Sequence, residues 1–402
     1  MNDRTSQLLK PPVNFRDLET LLRRDVREKI AMILDEEIRA AIGADDHERV
    51  ETRKGYRHGT AKARKLVTSF GPTTIEAPRA RMKTPEGLKE FESQIVRRYE
   101  RRTERVDAAL VNCYLVGVNT RKVKLALRPL LEGSALSASS VSRLVKRLKD
   151  GFEAWRSRDL SGESYSILVL DAIRLRVRMA RRVVSVPVQA VIGVKGNGEK
   201  EVLGLRLSPS ESRKSWDGVV EDLVMRNMVA PVLVLVDGNA GLLGSIRENW
   251  PETEIQRCAH HKLENLLSKA PKHCHEELKR DFGAITHAEC REAAEKAYKD
   301  FERKWERLVP EVARSLREGG LDLLTFYNYP AEMWKSLRTT NLIERLNQEF
   351  RRRVKTQGSF PTEGSALTLL YGLLASGAIR LRKIDGYQRM SEVISKPERK
   401  AS

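Results

Sequence analysis

Between residues 15 and 42, Leu21, Leu22, Val26, Ile30, Ile33, Leu34 and Ile38 recur at helical spacing, which predicts one long helix. From 51 to 85 the pattern changes. ETRKGYRHGTAKARK is basic and punctuated by glycine, and LVTSFGPTTIEAPRAR carries β-branched residues broken by Gly-Pro and Pro. A short strand pair with basic flanks is expected there. Helical spacing returns between 103 and 150 in three pieces. DAALVNCYLVG ends near Gly117, RKVKLALRPLL follows the capping types Asn119 and Thr120, and VSRLVKRLKD starts around 137–140. Three short helices with Gly and Ser between them fit a helix-turn-helix unit. Its last helix would present Arg143, Lys146, Arg147 and Lys149 as a recognition helix does. A small bundle with a solvated charged face fits the same pattern.

At 165 the period becomes that of a strand. YSILVLDAIRLRVR is first apolar and then alternates Ile173, Leu175 and Val177 with Arg174, Arg176 and Arg178. RRVVSVPVQAVIGVKGNG and KEVLGLRLSPSE give a second and a third strand, the second ending in a Gly-Asn-Gly turn. After a helix through SWDGVVEDLVMRNM, the continuously apolar PVLVLVD suits a strand buried on both faces, as parallel pairing requires. EIQRCAHH is a candidate fifth strand, and 262–335 reads as largely helical. The sum is an α/β sheet with helices packed on it and a helical segment set between the sheet and the helix near 341.

Composition adds a partner. The 402 residues are too many for one ordinary core and suggest two to four domains. Lys and Arg number 74 against 55 Asp and Glu, a net charge of +19, which points to a polyanion such as nucleic acid. No apolar run approaches the roughly 20 residues that cross a bilayer, so no membrane partner is expected. The first residues lack the apolar stretch of a secretory signal, and four cysteines are too few for a disulfide scaffold. These features lead to the expectation of a reducing, cytoplasmic compartment.

Three carboxylates stand out. Asp171 interrupts an apolar strand, where an unpaired carboxylate is costly; backbone donors at a strand end would also satisfy it. Asp237 ends VLVLVD before Gly238, either as an ordinary Asp-Gly turn or at the carboxyl end of a central strand, where α/β sheets bind ligands. Glu344 lies in TTNLIERLNQEFRRRVK, in which Ile343, Leu346, Phe350 and Val354 form one stripe and Asn341, Glu344, Gln348, Arg351 and Lys355 another. Asn341 with Glu344 three residues on also has capping-box spacing. Three such oxygen ligands could hold two Mg²⁺ ions, or Mn²⁺, for phosphodiester chemistry.

The motifs GYRHG (55–59), APRAR (77–81), CYLVGVNTRKV (113–123), LDAIRLRVR (170–178), VLGLRLSPSESRKSW (202–216), VDGNAGL (236–242), QRCAHHKLENL (256–266) and LRTTNLIERLNQEFRRRVKTQGSFP (337–361) resemble the Mutator-type transposase family of bacterial insertion sequences. The resemblance covers nearly the whole chain. It implies an RNase H-like catalytic domain interrupted by an all-helical insertion, with Asp171, Asp237 and Glu344 as an Asp-Asp-Glu metal site. The family's Cys-x-x-His motif falls on Cys258 and His261. It also implies that 101–150 recognises terminal inverted repeats on double-stranded DNA, and that the chain works as a homodimer or larger assembly on paired ends and target DNA.

The expected organisation is a helical region at 1–50, a basic strand and loop segment at 51–100, and a helix-turn-helix-like domain at 101–158. The catalytic core follows at 159–265, the helical insertion at 266–335, the helix carrying the third acid at 336–360, and a helical tail at 361–402. DNA contacts are expected from Arg53, Lys54, Arg57, Arg121, Arg143, Lys146, Arg147, Arg345, Arg351, Arg352, Arg353 and Lys355. Five of the seven histidines and three of the four cysteines lie between 258 and 290: Cys258, His260, His261, His273, Cys274, His275, His287 and Cys290. Zinc would suit such ligands, but their spacings do not repeat as paired units. For Cys258 and His261, a role beside the metal ligands or against DNA phosphate competes with plain packing. A repressor that binds DNA without cutting it would explain the charge but not Asp171 within a strand. A nuclease acting on RNA–DNA hybrids would share the metal site without needing the large N-terminal half.

Overall fold

The computed structural model describes residues 15–115, 127, 131, 138–179, 182–355, 360 and 362–394. The second helix expected near 121–131, apart from Leu127 and Leu131, lies outside the described residues, as do Arg121 and the Lys355 side chain. The chain divides into two compact units, 1–146 and 147–402.

In the first unit, α1 spans Phe15–Ile42, the stretch its apolar spacing predicts. Leu34 packs with Leu66, Ile75 and Val96, while Ile38 and Ile42 pack with Ala44 and Ala80. Where one strand pair was expected, five short strands form: β1 (Gly55–Thr60), β2 (Arg64–Thr68), β3 (Gly71–Ile75), β4 (Pro78–Thr84) and β5 (Gly87–Glu90). They make two antiparallel sheets, β1-β4-β5 and β2-β3. The β2–β3 hairpin comes between β1 and its partner β4, and strands of four to seven residues are too short for alternation to reveal such a pairing. Next come α2 (Glu104–Leu115) and α3 (Ala138–Arg156). Val106, Leu110, Leu131 and Leu144 share one small core.

α3 runs past the expected end near 150, because Gly151 does not stop it. A Cβ there would lie 3.2 Å from the Tyr371 hydroxyl. Phe152 and Trp155 stack beside that ring, so packing outweighs the roughly 1 kcal/mol propensity cost of a helical glycine.

The second unit is built on a five-stranded sheet of order β10-β9-β6-β7-β8. β6 (Tyr165–Met179), β7 (Arg182–Lys195) and β8 (Lys200–Leu207) pair antiparallel. α4 (Arg213–Met225) leads to β9 (Leu233–Val236), and α5 (Ala240–Asn249) leads to β10 (Glu254–Arg257). β9 lies parallel to both β6 and β10, as its unbroken apolar run requires. Trp216, Val220 and Leu223 of α4 and Leu242 and Ile246 of α5 close one face over Leu168, Leu170, Val234 and Val236.

A helical stretch follows: α6 (Ala259–Lys269), α7 (His275–Thr286), α8 (Arg291–Leu308) and α9 (Pro310–Gly319). Phe282, Phe301 and Trp305 form its aromatic centre. Short turns of 3-10 helix and α10 (Trp334–Leu337) return the chain to the sheet. α11 (Asn341–Lys355) then packs on β6 and buries Ile343, Leu346, Phe350 and Val354, the stripe its sequence predicts. α12 (Glu363–Ala375) and α13 (Met390–Ile394) complete the described elements. Among the described residues no helix is long and apolar enough to cross a membrane.

Candidate active site

Strand register builds the site. β6 and β9 pair in parallel with Val169 beside Leu235. Two residues further on, Asp171 lies beside Asp237, which leaves the end of β9. β10 pairs with β9 with Arg257 beside Val236, so Cys258 falls next to Asp237 on the other side. The Cys258 amide donates to the Val236 carbonyl at 2.7 Å and fixes that step. Three neighbouring strands therefore deliver Asp171, Asp237 and Cys258 to one rim of the sheet, at the carboxyl ends of its parallel members.

Each acid is held locally. The Ala172 amide donates to Asp171 Oδ1 at 2.8 Å, and the Asn347 side-chain amide donates to Oδ2 at 2.7 Å. The Asn239 amide donates to Asp237 Oδ1 at 2.9 Å, while Asn239 caps α5 by accepting from the Leu242 amide. Between them Gly238 adopts φ +97°, and a Cβ there would lie 2.4 Å from Arg257 Nη2. Only glycine lets the turn after Asp237 close against that guanidinium.

Glu344 comes from α11. Thr340, fully buried, precedes the helix and accepts from the Ile343 and Glu344 amides through its carbonyl. Asn341 is already helical, so the expected Asn341–Glu344 capping spacing does not describe this terminus. The Thr340 hydroxyl lies 3.3 Å from Cys258 Sγ, 3.4 Å from Glu344 Oε1 and 3.5 Å from His261 Nδ1. Having one proton, it can donate to one of them at a time.

The acids act on one another electrostatically. The Asp171 carboxyl is pushed up to about 6, first by burial and further by the negative charges of Asp237 and Glu344. The Ala172 hydrogen bond and His261 pull the other way. His261 is raised to about 9, chiefly by its hydrogen bond with Cys258 and then by Cys258, Asp171 and Asp237, against the cost of burial. Burial opposes ionisation of the Cys258 thiol, but its hydrogen bonds with His261 and Thr340 outweigh that and hold it below the ordinary range.

Carboxylates that repel one another in a half-buried pocket suit a hard divalent cation, which would relieve that repulsion through oxygen ligands. Cys258, His261 and Glu344 also bring one donor atom each to within 4.8 Å of one another. That softer set is largely occupied: His261 keeps its proton at neutral pH, and Cys258 Sγ accepts from the Thr340 amide and hydroxyl at 3.3 Å. Among the described residues, Asp171, Asp237 and Glu344 do not gather that closely as a set. The rest of the His/Cys cluster does not converge among the described residues. His260 pairs with Glu264, His275 contacts the Ala270 carbonyl, and Cys290 is an exposed cap of α8.

The basic candidates are dispersed. Arg57 is spent on Asp35 and Asp46, and Arg53 on the carbonyls of Gly55 and Glu48, so both brace the first unit. Lys54, Arg143, Lys146, Arg147, Arg345 and Arg351 are exposed; Arg352 pairs with Glu349, and Arg353 is half-buried. Three residues escaped the sequence reasoning. Thr340 could have been found as a capping type ahead of an apolar stripe. Asn347 and Arg257 gave no signal, since an Asn within a helix and an Arg after a strand are usually solvated.

A mixed α/β protein with an acid cluster at the carboxyl rim of its parallel strands is the class so defined. The chain belongs to the Mutator family of transposases: the family described as "Transposase, Mutator family" matches residues 4–380. It is 33% identical over 352 residues to the transposase for insertion sequence element ISRM5 of Rhizobium meliloti (strain 1021), covering 88% of this chain and 86% of that one. It is 32% identical over 358 residues to the transposase for IS1081 of Mycobacterium tuberculosis, covering 88% and 84%. Among solved structures, the Drosophila P element transposase strand transfer complex covers 67% of this chain and 91% of its own at 10% identity and a TM-score of 0.37.

Proposed function

We propose that the chain binds the terminal inverted repeats of an insertion sequence, cuts DNA there and joins the freed ends to a target, using Asp171, Asp237 and Glu344 as its metal-binding acids. Cutting and joining need a charge-neutralised phosphate and an oriented attacking oxygen, and the rim supplies the ligands for that. Mg²⁺ or Mn²⁺, two per site, would supply activation of the nucleophile and stabilisation of the leaving oxygen. The chain's part is to present carboxylate oxygens at fixed positions, with Asn347 and Ala172 orienting Asp171 and the Gly238 turn orienting Asp237. Cys258, Thr340 and His261 then steady Glu344 from beside the metal ligands, and protonated His261 offsets part of the negative charge. On this basis the second unit is an RNase H-like core with a helical insertion, and the chain acts on paired DNA ends as a homodimer or larger assembly.

One observation carries the proposal: burial and the charges of Asp237 and Glu344 push Asp171 up to about 6, a cost that a divalent cation would remove. The test is a supercoiled plasmid carrying matching terminal repeats, incubated with the full chain in Mg²⁺. The unmodified chain should nick at the repeat ends, whereas Asp171→Asn and Glu344→Gln should bind without nicking. Nicking that survives either substitution would remove the acids from the chemistry. Binding without nicking by the unmodified chain would leave a repressor.

A further inference from the structure

β6 and β7 outrun the sheet. β8 stops pairing with β7 at Leu207 opposite Val188, and β9 stops pairing with β6 at Leu235 beside Val169. Beyond those points the two strands continue as an antiparallel arm, from Arg174 beside Pro187 to Met179 beside Arg182. One face of the arm is closed: Ile173, Leu175 and Val177 are buried, and Val177 bridges the buried Phe360.

The other face carries Arg174, Arg176 and Arg178, all exposed. Their cross-strand partners are Pro187, Ser185 and Val183, none of them acidic. Arg174 reaches Glu211 at 3.3 Å, but among the described residues Arg176 and Arg178 have no ion pair. Opposite charges usually face one another across strands, and an unneutralised row of like charges opposes folding. Alternate residues of a strand stand roughly 6.6 Å apart, the same order as successive phosphates along one strand of nucleic acid.

We propose that this arginine face of the β6–β7 arm is a phosphate-contacting surface for double-stranded DNA, gripping the backbone without reading bases. The inference rests on the proposed DNA-processing role and adds a place for a DNA segment on the face of β6 opposite Asp171. The strand sets the spacing of the three arginines, and each offers phosphate a planar fork of donors.

The test uses the full chain and a labelled duplex of arbitrary sequence in EDTA, so that binding is read without catalysis. Arg176→Ala combined with Arg178→Ala should reduce the magnitude of the slope of log K against log salt by about 1.8, or 0.9 for each phosphate no longer neutralised, without lowering the melting temperature. Lys296→Ala combined with Lys299→Ala, the same charge change on the exposed side of α8, should leave the slope as it was. Arg176→Lys with Arg178→Lys should keep the slope, since it counts charges. An unchanged slope in the alanine arm variant, or an equal fall in the α8 control, overturns the proposal. Nicking in Mg²⁺ is read separately. A chain that nicks normally while its arm variant binds with an unaltered slope sinks the arm alone. A chain that binds through the arm yet never nicks sinks the transposition chemistry instead.

Discussion

Asn347 holds Asp171. Its side-chain amide donates to Asp171 Oδ2 at 2.7 Å, one turn beyond Glu344 on the same helix. A strand acid and a helix acid are thereby tied through one buried side chain, and the only other protein donor to the Asp171 carboxylate among the described residues is the Ala172 amide. Asn347→Ala should retain the fold but free that carboxylate. Residues that orient metal ligands typically contribute about 10–100-fold in metal affinity or activity. The expected result is an increase of that size in the Mg²⁺ concentration needed for half-maximal end nicking, with a smaller change in the saturated rate. An unaltered metal requirement would assign Asn347 to packing.

Asp171 gives the metal-free chain an unusual pH response. Its folded pKa of about 6 lies above the ordinary 3.8, so between these values the folded state binds the proton more tightly than the unfolded chain. Stability from this group is full below pH 3.8 and is lost as pH rises through 6, a cost on the order of 2–3 kcal/mol. Denaturant titrations in EDTA should show that fall, Asp171→Asn should flatten it, and Mg²⁺ should restore stability above pH 6. His261 acts in a different window, because its stabilising protonation is lost only as pH rises through about 9. A curve in EDTA that does not fall between pH 4 and 6 would mean that Asp171 is not held against its neighbours' charges.

The strands of the sheet were legible, though not their order, because alternation in β6 and the unbroken apolar run of β9 are strong, opposite signals of partial and complete burial. The acids were legible for the same reason, as carboxylates where the pattern calls for apolar residues. Thr340, Asn347 and Arg257 were not, because their roles depend on partners brought by register and helix docking, which local spacing does not encode. For Arg57 the basic, glycine-punctuated stretch reads as a nucleic-acid contact, and local spacing gave no sign that its guanidinium pairs with Asp35 and Asp46.

The Gly238 turn joins the proposed site to the helical stretch. Arg257 and Lys262 are almost fully buried, and both bind Glu318 of α9, at 2.8 and 2.6 Å. Arg257 Nη2 also reaches the Gly238 carbonyl at 3.4 Å. Glu318→Ala leaves two buried cations short of their counter-charge. The expected loss is roughly 2–3 kcal/mol, at the low end for a broken buried pair because Glu318 itself faces water. Gly238→Ala should destabilise by at least about 1 kcal/mol from its positive φ and slow nicking as well, since Asp237 is the preceding residue. Melting curves that match the unmodified chain for both variants would show that neither contact holds the rim.

The Cys258–His261 pair should not hold zinc. A zinc ligand must be an unprotonated imidazole and a thiolate with a free lone pair directed at the ion. His261, raised to about 9, is protonated at neutral pH, and Cys258 Sγ accepts from both the amide and the hydroxyl of Thr340. Recruiting these two with Glu344 would break those hydrogen bonds and take a carboxylate from the Asp171–Asp237 rim. Chelator-washed chain should therefore contain no stoichiometric zinc by elemental analysis, and added Co²⁺ should give no thiolate-to-metal charge-transfer band. Cys258→Ser should leave Mg²⁺-induced stabilisation in place, because a hydroxyl can still accept from Thr340. One tightly held zinc per chain, lost in that serine variant, would replace the oxygen-ligand site with a thiolate one and make Glu344 its third ligand.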